Sequence, residues 1–162
     1  MNRRTNRGKA SSTGHLNSTK PPKYFLEIAE IISKLYPDAK KIVEVGIGRS
    51  PYTALRLKSL LPRTEIIVTD VDREVIRYAA RLNLNSIYDD INNPNLEIYK
   101  GADVVYSIRP PFELIPKLES LGNDAGVDVL ITPLSEDIHL SSLGKKWKRI
   151  SHPEILIYIL KP

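Results

Sequence analysis

Apolar residues in this chain arrive in short bursts separated by stretches of helical periodicity. Pro21 and Pro22 open a segment in which Tyr24, Ile28, Ile31 or Ile32 and Leu35 recur at helical spacing before Pro37, predicting a helix over about 22–36. Ile42-Val43-Glu44-Val45 then reads as a strand, followed by Gly46-Ile47-Gly48-Arg49-Ser50-Pro51. Ser50 suits a helix N-cap and Pro51 a first helical residue. The helix they announce, over about 51–61, has Ala54, Leu55, Leu57, Leu60 and Leu61 on its apolar side. Ile66-Ile67-Val68-Thr69-Asp70 is a second strand, and Asp72 can cap a third helix through about Leu82 with Val75, Ile76 and Ala79 facing inward.

The rhythm continues less cleanly. Ser86-Ile87-Tyr88 predicts a brief third strand, with a polar loop over 89–94 after it. Asp103-Val104-Val105-Tyr106-Ser107 predicts a fourth strand, leading through Ile108-Arg109-Pro110-Pro111 to a helix that ends near Leu121 and is interrupted or bent at Pro116. Gly122 to Gly126 read as a turn and Val127 to Thr132 as a fifth strand. Trp147–Ile150 and Ile155–Leu160 can pair as an antiparallel hairpin around Ser151-His152-Pro153-Glu154. Alternating helix and strand favour a parallel sheet. The expected fold is α/β: a Rossmann-like three-layer α/β/α sandwich, mostly parallel, with an antiparallel C-terminal hairpin.

A length of 162 residues fits one domain, and 41% hydrophobic with 27% charged residues is ordinary for a globular core. No apolar run reaches the roughly 18 residues of a membrane-spanning helix. The basic start lacks the apolar stretch of a secretory signal, so a cytoplasmic location is expected. The absence of cysteine excludes disulfides, thiol nucleophiles and cysteine-ligated metals. Residues 1–23 carry six cations and no acid, so the net charge of +5 belongs to the tail and the rest is nearly neutral. Residues 1–20 are expected to be a disordered basic tail and 21–162 a single domain.

Strand, Gly-x-Gly and a helix start make the main chemical signal. Gly46 and Gly48 allow a sharp turn and close approach of a ligand, while the helix start at Ser50 offers amides to a carboxylate or phosphate. The same spacing also suits a tight turn with no ligand. Asp70 ends the second strand, where a carboxylate reaches a ribose diol, though helix capping is its other reading. Asp89 and Asp90 follow the third strand, placed for an adenine amino group or for loop solvation. Glu136-Asp137-Ile138-His139 and His152 do not add up to a metal site, and none is expected. There is no nucleophile elbow and no triphosphate-binding loop.

Val43-Glu44-Val45-Gly46-Ile47-Gly48 resembles the first motif of Rossmann-like S-adenosylmethionine-dependent methyltransferases. Val68-Thr69-Asp70 resembles their second motif, Tyr88-Asp89-Asp90 their third, and Asp103 to Ser107 the strand of their fourth. Residues 22–162 as a whole resemble a small uncharacterised archaeal family assigned to that superfamily. The resemblance implies that Glu44 orients the glycine loop near the cofactor's amino-acid portion. It implies further that Gly46, Gly48 and Ser50 approach the cofactor, that Asp70 holds the ribose hydroxyls, and that Asp89 or Asp90 meets the adenine. Ser107 to Pro111 would form the far wall beside the methyl group.

Two departures stand out. The third glycine of the methyltransferase pattern falls at Ser50, and in nicotinamide-type spacing at Pro51, which lacks an amide hydrogen. Arg109 stands where amino-group methyltransferases keep Asn or Asp before Pro-Pro and an aromatic, and arginine donates without accepting. Ser107, Arg109, Pro110 and Phe112 are the catalytic candidates. The expected function is S-adenosylmethionine binding with methyl transfer to RNA or a small molecule. A non-catalytic nucleotide- or RNA-binding module is the alternative, and a nicotinamide-dependent dehydrogenase a weaker third. RNA contact is expected through Arg3, Arg4, Arg7 and Lys9 and through Lys145, Lys146, Lys148 and Arg149. No membrane partner is expected, and the oligomeric state is left open.

Overall fold

The computed structural model describes residues 20–134 and 146–162. The tail, Glu136 to His139 and Lys145 lie outside the described residues. The element order is α1 (Lys23–Leu35), β1 (Lys41–Val45), α2 (Tyr52–Leu60), β2 (Glu65–Asp70), α3 (Arg73–Arg81), β3 (Asn85–Tyr88), α4 (Leu96–Tyr99) and β4 (Val104–Ile108). A 3-10 turn at Phe112–Leu114, α5 (Ile115–Ala125), β5 (Asp128–Thr132), β6 (Trp147–Ile150) and β7 (Ile157–Leu160) follow among the described residues.

The strands form one seven-stranded sheet in the order β3-β2-β1-β4-β5-β7-β6. All pairings from β3 to β5 are parallel, and β7 runs antiparallel to both β5 and β6. The C-terminal hairpin is therefore inserted so that β7 lies between β5 and β6, and β6 points the same way as β5. Alternate residues of each strand face two separate cores. Ile42, Val68, Val104 and Leu130 meet Ile28 and Ile32 of α1, Leu57 of α2 and Val75 of α3. Val43, Ile67, Val105 and Ile131 meet Tyr99 of α4 and Leu118 and Leu121 of α5. Burial of both sheet faces explains why the strands read as continuous apolar runs. The three-layer α/β/α expectation holds.

Local differences have physical causes. Phe25, Ile28, Ala29 and Ile32 are the buried residues of α1, whereas Leu35, expected in its apolar stripe, is 44% exposed because the helix ends there. α2 begins one residue later than expected: Pro51 occupies the cap position and no side chain caps the helix, so Ser50 is not the N-cap. Asp72 does cap α3, accepting from the Glu74 amide at 2.9 Å. Pro116 does not bend a helix; it sits in the first turn of α5, where its missing N–H costs nothing. Gly122 is not a turn residue either. It lies inside α5, where a Cβ would stand 2.6 Å from Val129 Cγ2, so the glycine lets the helix close onto β5. The helix ends instead at Gly126, in the left-handed conformation with φ 67°.

Candidate functional site

The sheet order reverses between β1 and β4, so connections leave these neighbouring strands in opposite directions and a crevice opens at their carboxyl ends. Two cavities occupy it, of about 240 and 210 Å3, and they meet at Gly46, Ile108 and Arg109. The larger runs from Asp70, Asp89 and Asp90 to Pro110 and Pro111. The smaller lies on the α1 side, over Glu44, Gly48 and Ser50. The topology thus brings Glu44, Gly46, Gly48, Ser50, Asp70, Asp89, Asp90, Ser107, Arg109 and Pro110 to the walls of one crevice. Phe112 does not line it; its ring is half-buried against the α4–α5 core.

The glycine loop is fastened from below. The amides of Gly46 and Ile47 both donate to the Thr69 carbonyl, at 2.9 and 3.1 Å, and the Gly48 amide donates to Asp70 Oδ2 at 2.9 Å. These amides face β2 rather than the cavity. Both glycines sit in the left-handed region, with φ 70° and 59°, and nothing stands within 4 Å of where a Cβ would project. The space a side chain would fill is left open to a ligand. Asp70 completes the brace through Oδ1, which accepts from the Asp72 amide at 2.9 Å. A carboxylate offers about four acceptor sites, so each oxygen keeps one beyond these bonds.

Beneath the loop lies a polar group that no described residue fully satisfies. Glu44 is 2% exposed, pairs in register with Tyr106 across β1 and β4, and leaves Oε2 without a hydrogen-bond partner. The Tyr106 hydroxyl, which lies beside the Glu44 carboxyl, and Thr132 Oγ1 are likewise buried without a well-formed hydrogen bond among the described residues. Burial pushes the Glu44 carboxyl well above the usual carboxylate range; the adjacent Tyr106 hydroxyl opposes the rise and the Asp70 charge adds to it. Burial and the neighbouring Glu44 push the Tyr106 phenol up as well.

Asp89 and Asp90 differ in a way their adjacency conceals. Asp89 is buried; its Oδ2 accepts from the Tyr99 hydroxyl at 2.5 Å and its Oδ1 from the Asn95 amide at 3.0 Å. Asp90 is only half-buried and bonds locally, Oδ1 accepting from the Asn92 amide at 2.9 Å. Ser107 is 4% exposed and donates to the Val45 carbonyl at 2.9 Å, tying β4 to β1 at the crevice floor.

Arg109 follows β4 with φ 50°, a conformation rare outside glycine, and its amide donates to the Thr132 carbonyl at 2.9 Å. Its guanidinium lies 4.4 Å from the Tyr24 ring centre and 5.7 Å from that of Phe25, both on α1. Asp89 and Asp90 form no ion pair with it, and Asp137 lies outside the described residues. Tyr24 and Phe25 flank the site although their sequence positions do not announce it, since nothing local links them to position 109.

The basic positions are elsewhere. Lys148 and Arg149 are exposed on β6, three strands beyond β4 and hence about 14 Å from it. Lys146 lies 3.9 Å from Glu119, and Trp147 is buried with Nε1 donating to Glu119 Oε2 at 3.2 Å. His152 accepts from the Glu154 and Ile155 amides and shapes a turn. No group of metal-ligating side chains occurs among the described residues, and none of their helices is long and apolar enough to cross a membrane.

Solved structures share this fold. A putative S-adenosyl-L-methionine-dependent methyltransferase from Methanococcus maripaludis superposes with TM-score 0.61 at 12% identity, covering 85% of this chain and 84% of that one. The METTL16 methyltransferase domain gives 0.59 at 11% identity, covering 85% and 80%. The N-terminal domain of EvdMO1, in the presence of SAH and D-fucose, gives 0.53 at 17% identity, covering 88% and 69%. Such identities show the fold alone. In sequence, protein PF0123 of Pyrococcus furiosus is 33% identical over 135 residues, covering 83% of this chain and 98% of its own. A relative from Archaeoglobus fulgidus is 40% identical over 116 residues, covering 70% and 82%. Both are UPF0146 proteins, and the profile of that family matches residues 25–159. This chain belongs to the uncharacterised protein family UPF0146.

Proposed function

We propose that this protein binds S-adenosyl-L-methionine in the crevice between β1 and β4 and transfers its methyl group to an acceptor, RNA or a small molecule. The observation that carries the reading is the glycine loop: two left-handed glycines open on the cavity side, braced by Asp70, above a buried Glu44 oxygen that lacks a partner. An unpartnered buried acceptor beside a cavity fits a ligand ammonium. The remaining lone pairs of Asp70 fit ribose hydroxyls, and Asp90 is the better placed of the two adjacent carboxylates for an adenine amino group. Asp89 keeps the loop in place. The SAH present with the EvdMO1 domain, and the cofactor for which the Methanococcus protein is named, support this choice of ligand.

When bound, the cofactor supplies an activated methyl on a sulfonium. The chain's part is then alignment and exclusion of water, by the glycine loop on one side and Ser107 to Pro111 on the other. Binding of S-adenosylmethionine and S-adenosylhomocysteine by titration calorimetry, with Asp70→Ala as comparison, tests the site. Methyl transfer to RNA then tests the activity. A second reading, a non-catalytic nucleotide- or RNA-binding module, is favoured by one observation: Ser107 is a neutral hydroxyl whose hydrogen is given to Val45 and Arg109 has no acceptor, so neither is a general base. RNA binding that is salt-sensitive but indifferent to S-adenosylhomocysteine would select it. Arg3, Arg4, Arg7, Lys9 and the β6 cations are the expected contacts.

A further inference from the structure

We propose that Arg109 is an anion receptor, taking a carboxylate or phosphate on the edge of its guanidinium where the two cavities meet. Arg109 lines both cavities and, among the described residues, is the one cation on the wall of the larger, whose charged groups are otherwise Asp70, Asp89 and Asp90. Its guanidinium lies 4.4 Å from the Tyr24 ring centre, a contact with the ring that consumes none of the five N–H donors, and those donors match a bidentate oxyanion. No carboxylate among the described residues pairs with it. The three carboxylates of the crevice each accept hydrogen bonds from backbone amides, Asp89 from Tyr99 as well, and their geometry is directed to those donors rather than to Arg109.

The backbone points the same way. A left-handed arginine is strained relative to glycine, and the strain persists because the Arg109 amide is bonded to Thr132 and the buried Pro110 fixes the exit. Glycine at this position would relieve the strain but bring no guanidinium. Strain at a cavity wall is the pattern of a residue kept for what its side chain contacts. The anion has two sources: the amino-acid carboxylate of an adenosyl ligand, or an anionic group of a second ligand. The proposal stands apart from the methyltransferase reading, since either source uses the same guanidinium edge.

The test uses the full chain, with inorganic phosphate as the probe in titration calorimetry. Arg109→Ala and Arg109→Gly remove the side chain, and the second also removes the strain, so that at least one variant folds. Arg73→Ala is the comparison, because Arg73 stacks on Tyr88 at 4.1 Å but lines neither cavity. Phosphate binding that falls at least tenfold in both Arg109 variants and is unchanged in Arg73→Ala supports the receptor. If phosphate still binds with S-adenosylhomocysteine present, the anion belongs to a second ligand. If S-adenosylhomocysteine itself weakens tenfold in the Arg109 variants, while 5′-methylthioadenosine, which lacks the carboxylate, does not, the cofactor supplies it. Phosphate and S-adenosylhomocysteine titrations both insensitive to Arg109 overturn the proposal. Failure of every adenosyl ligand to bind the unmodified chain would instead overturn the cofactor reading and leave the phosphate arm to decide this one.

Discussion

The amide of Gly48 donates to Oδ2 of Asp70, 22 residues away, while the other oxygen of the same carboxylate holds the Asp72 amide. One side chain therefore fixes both the glycine loop after β1 and the turn after β2. Asp70→Asn keeps the shape but presents one acceptor where two amides need acceptors. The loss of one charge-assisted bond is expected to lower stability by about 2 kcal/mol. For a chain of this length that is a fall of roughly 4–8 °C in Tm, measurable by thermal melting. An unchanged Tm would show that the brace does not hold the loop.

Tyr99 lines neither cavity, yet its hydroxyl donates to the buried Asp89. Tyr99→Phe is expected to destabilise the fold by roughly 1.5–3 kcal/mol and to weaken adenosyl-ligand binding without removing a ligand contact. Denaturant unfolding beside calorimetric titration checks both. Weaker binding at full stability would place Tyr99 at the ligand itself.

The fold was largely legible because burial on both sheet faces writes each parallel strand as an apolar run, and Asp72 announces α3 by cap chemistry. The contacts that shape the site were less so. Arg109 stacks on Tyr24 across 85 positions, and the insertion of β7 between β5 and β6 depends on tertiary pairing. Asp89 and Asp90 look alike in sequence; Tyr99 from α4, a helix absent from the sequence expectation, and the Asn95 amide before it separate their roles. Tyr106 alternates with Val105 and Ser107 along an apolar strand, and it is the register with Glu44 that places it under the glycine loop. Gly122 read as a turn because the cost of glycine in a helix is local, whereas its reason, close packing on Val129, is not.

That packing gives its own expectation. Gly122→Ala places a Cβ 2.6 Å from Val129 Cγ2 and 3.2 Å from the Val127 carbonyl. Overpacking should cost about 1–3 kcal/mol, outweighing the gain of roughly 1 kcal/mol in helix propensity. A lower Tm with unchanged ligand affinity is the expected result, and a stabilised variant would contradict the packing account.

Glu44 sets a pH dependence. Its carboxyl is held above the unfolded value, so between about pH 4.5 and its folded value the native chain binds more protons than the unfolded chain. Its contribution to stability is therefore complete in acid and declines as pH rises through that window. Glu44→Gln, which stays neutral, should lack this decline, so the variant gains on the wild type as pH increases. Unfolding free energies of the two proteins from about pH 4 to 9 show the trend; a constant difference would mean that Glu44 has the same pKa in the folded and unfolded chain.

The central claim is that the braced glycine loop and Asp70 form the seat of an adenosyl cofactor. Its most direct test is calorimetric titration of S-adenosylhomocysteine into the wild-type chain and into folded Asp70→Ala. Saturable binding near one site per chain, weakened at least tenfold in the variant, is the expected result. No binding to the well-folded wild type, or equal binding by both proteins, would contradict the claim.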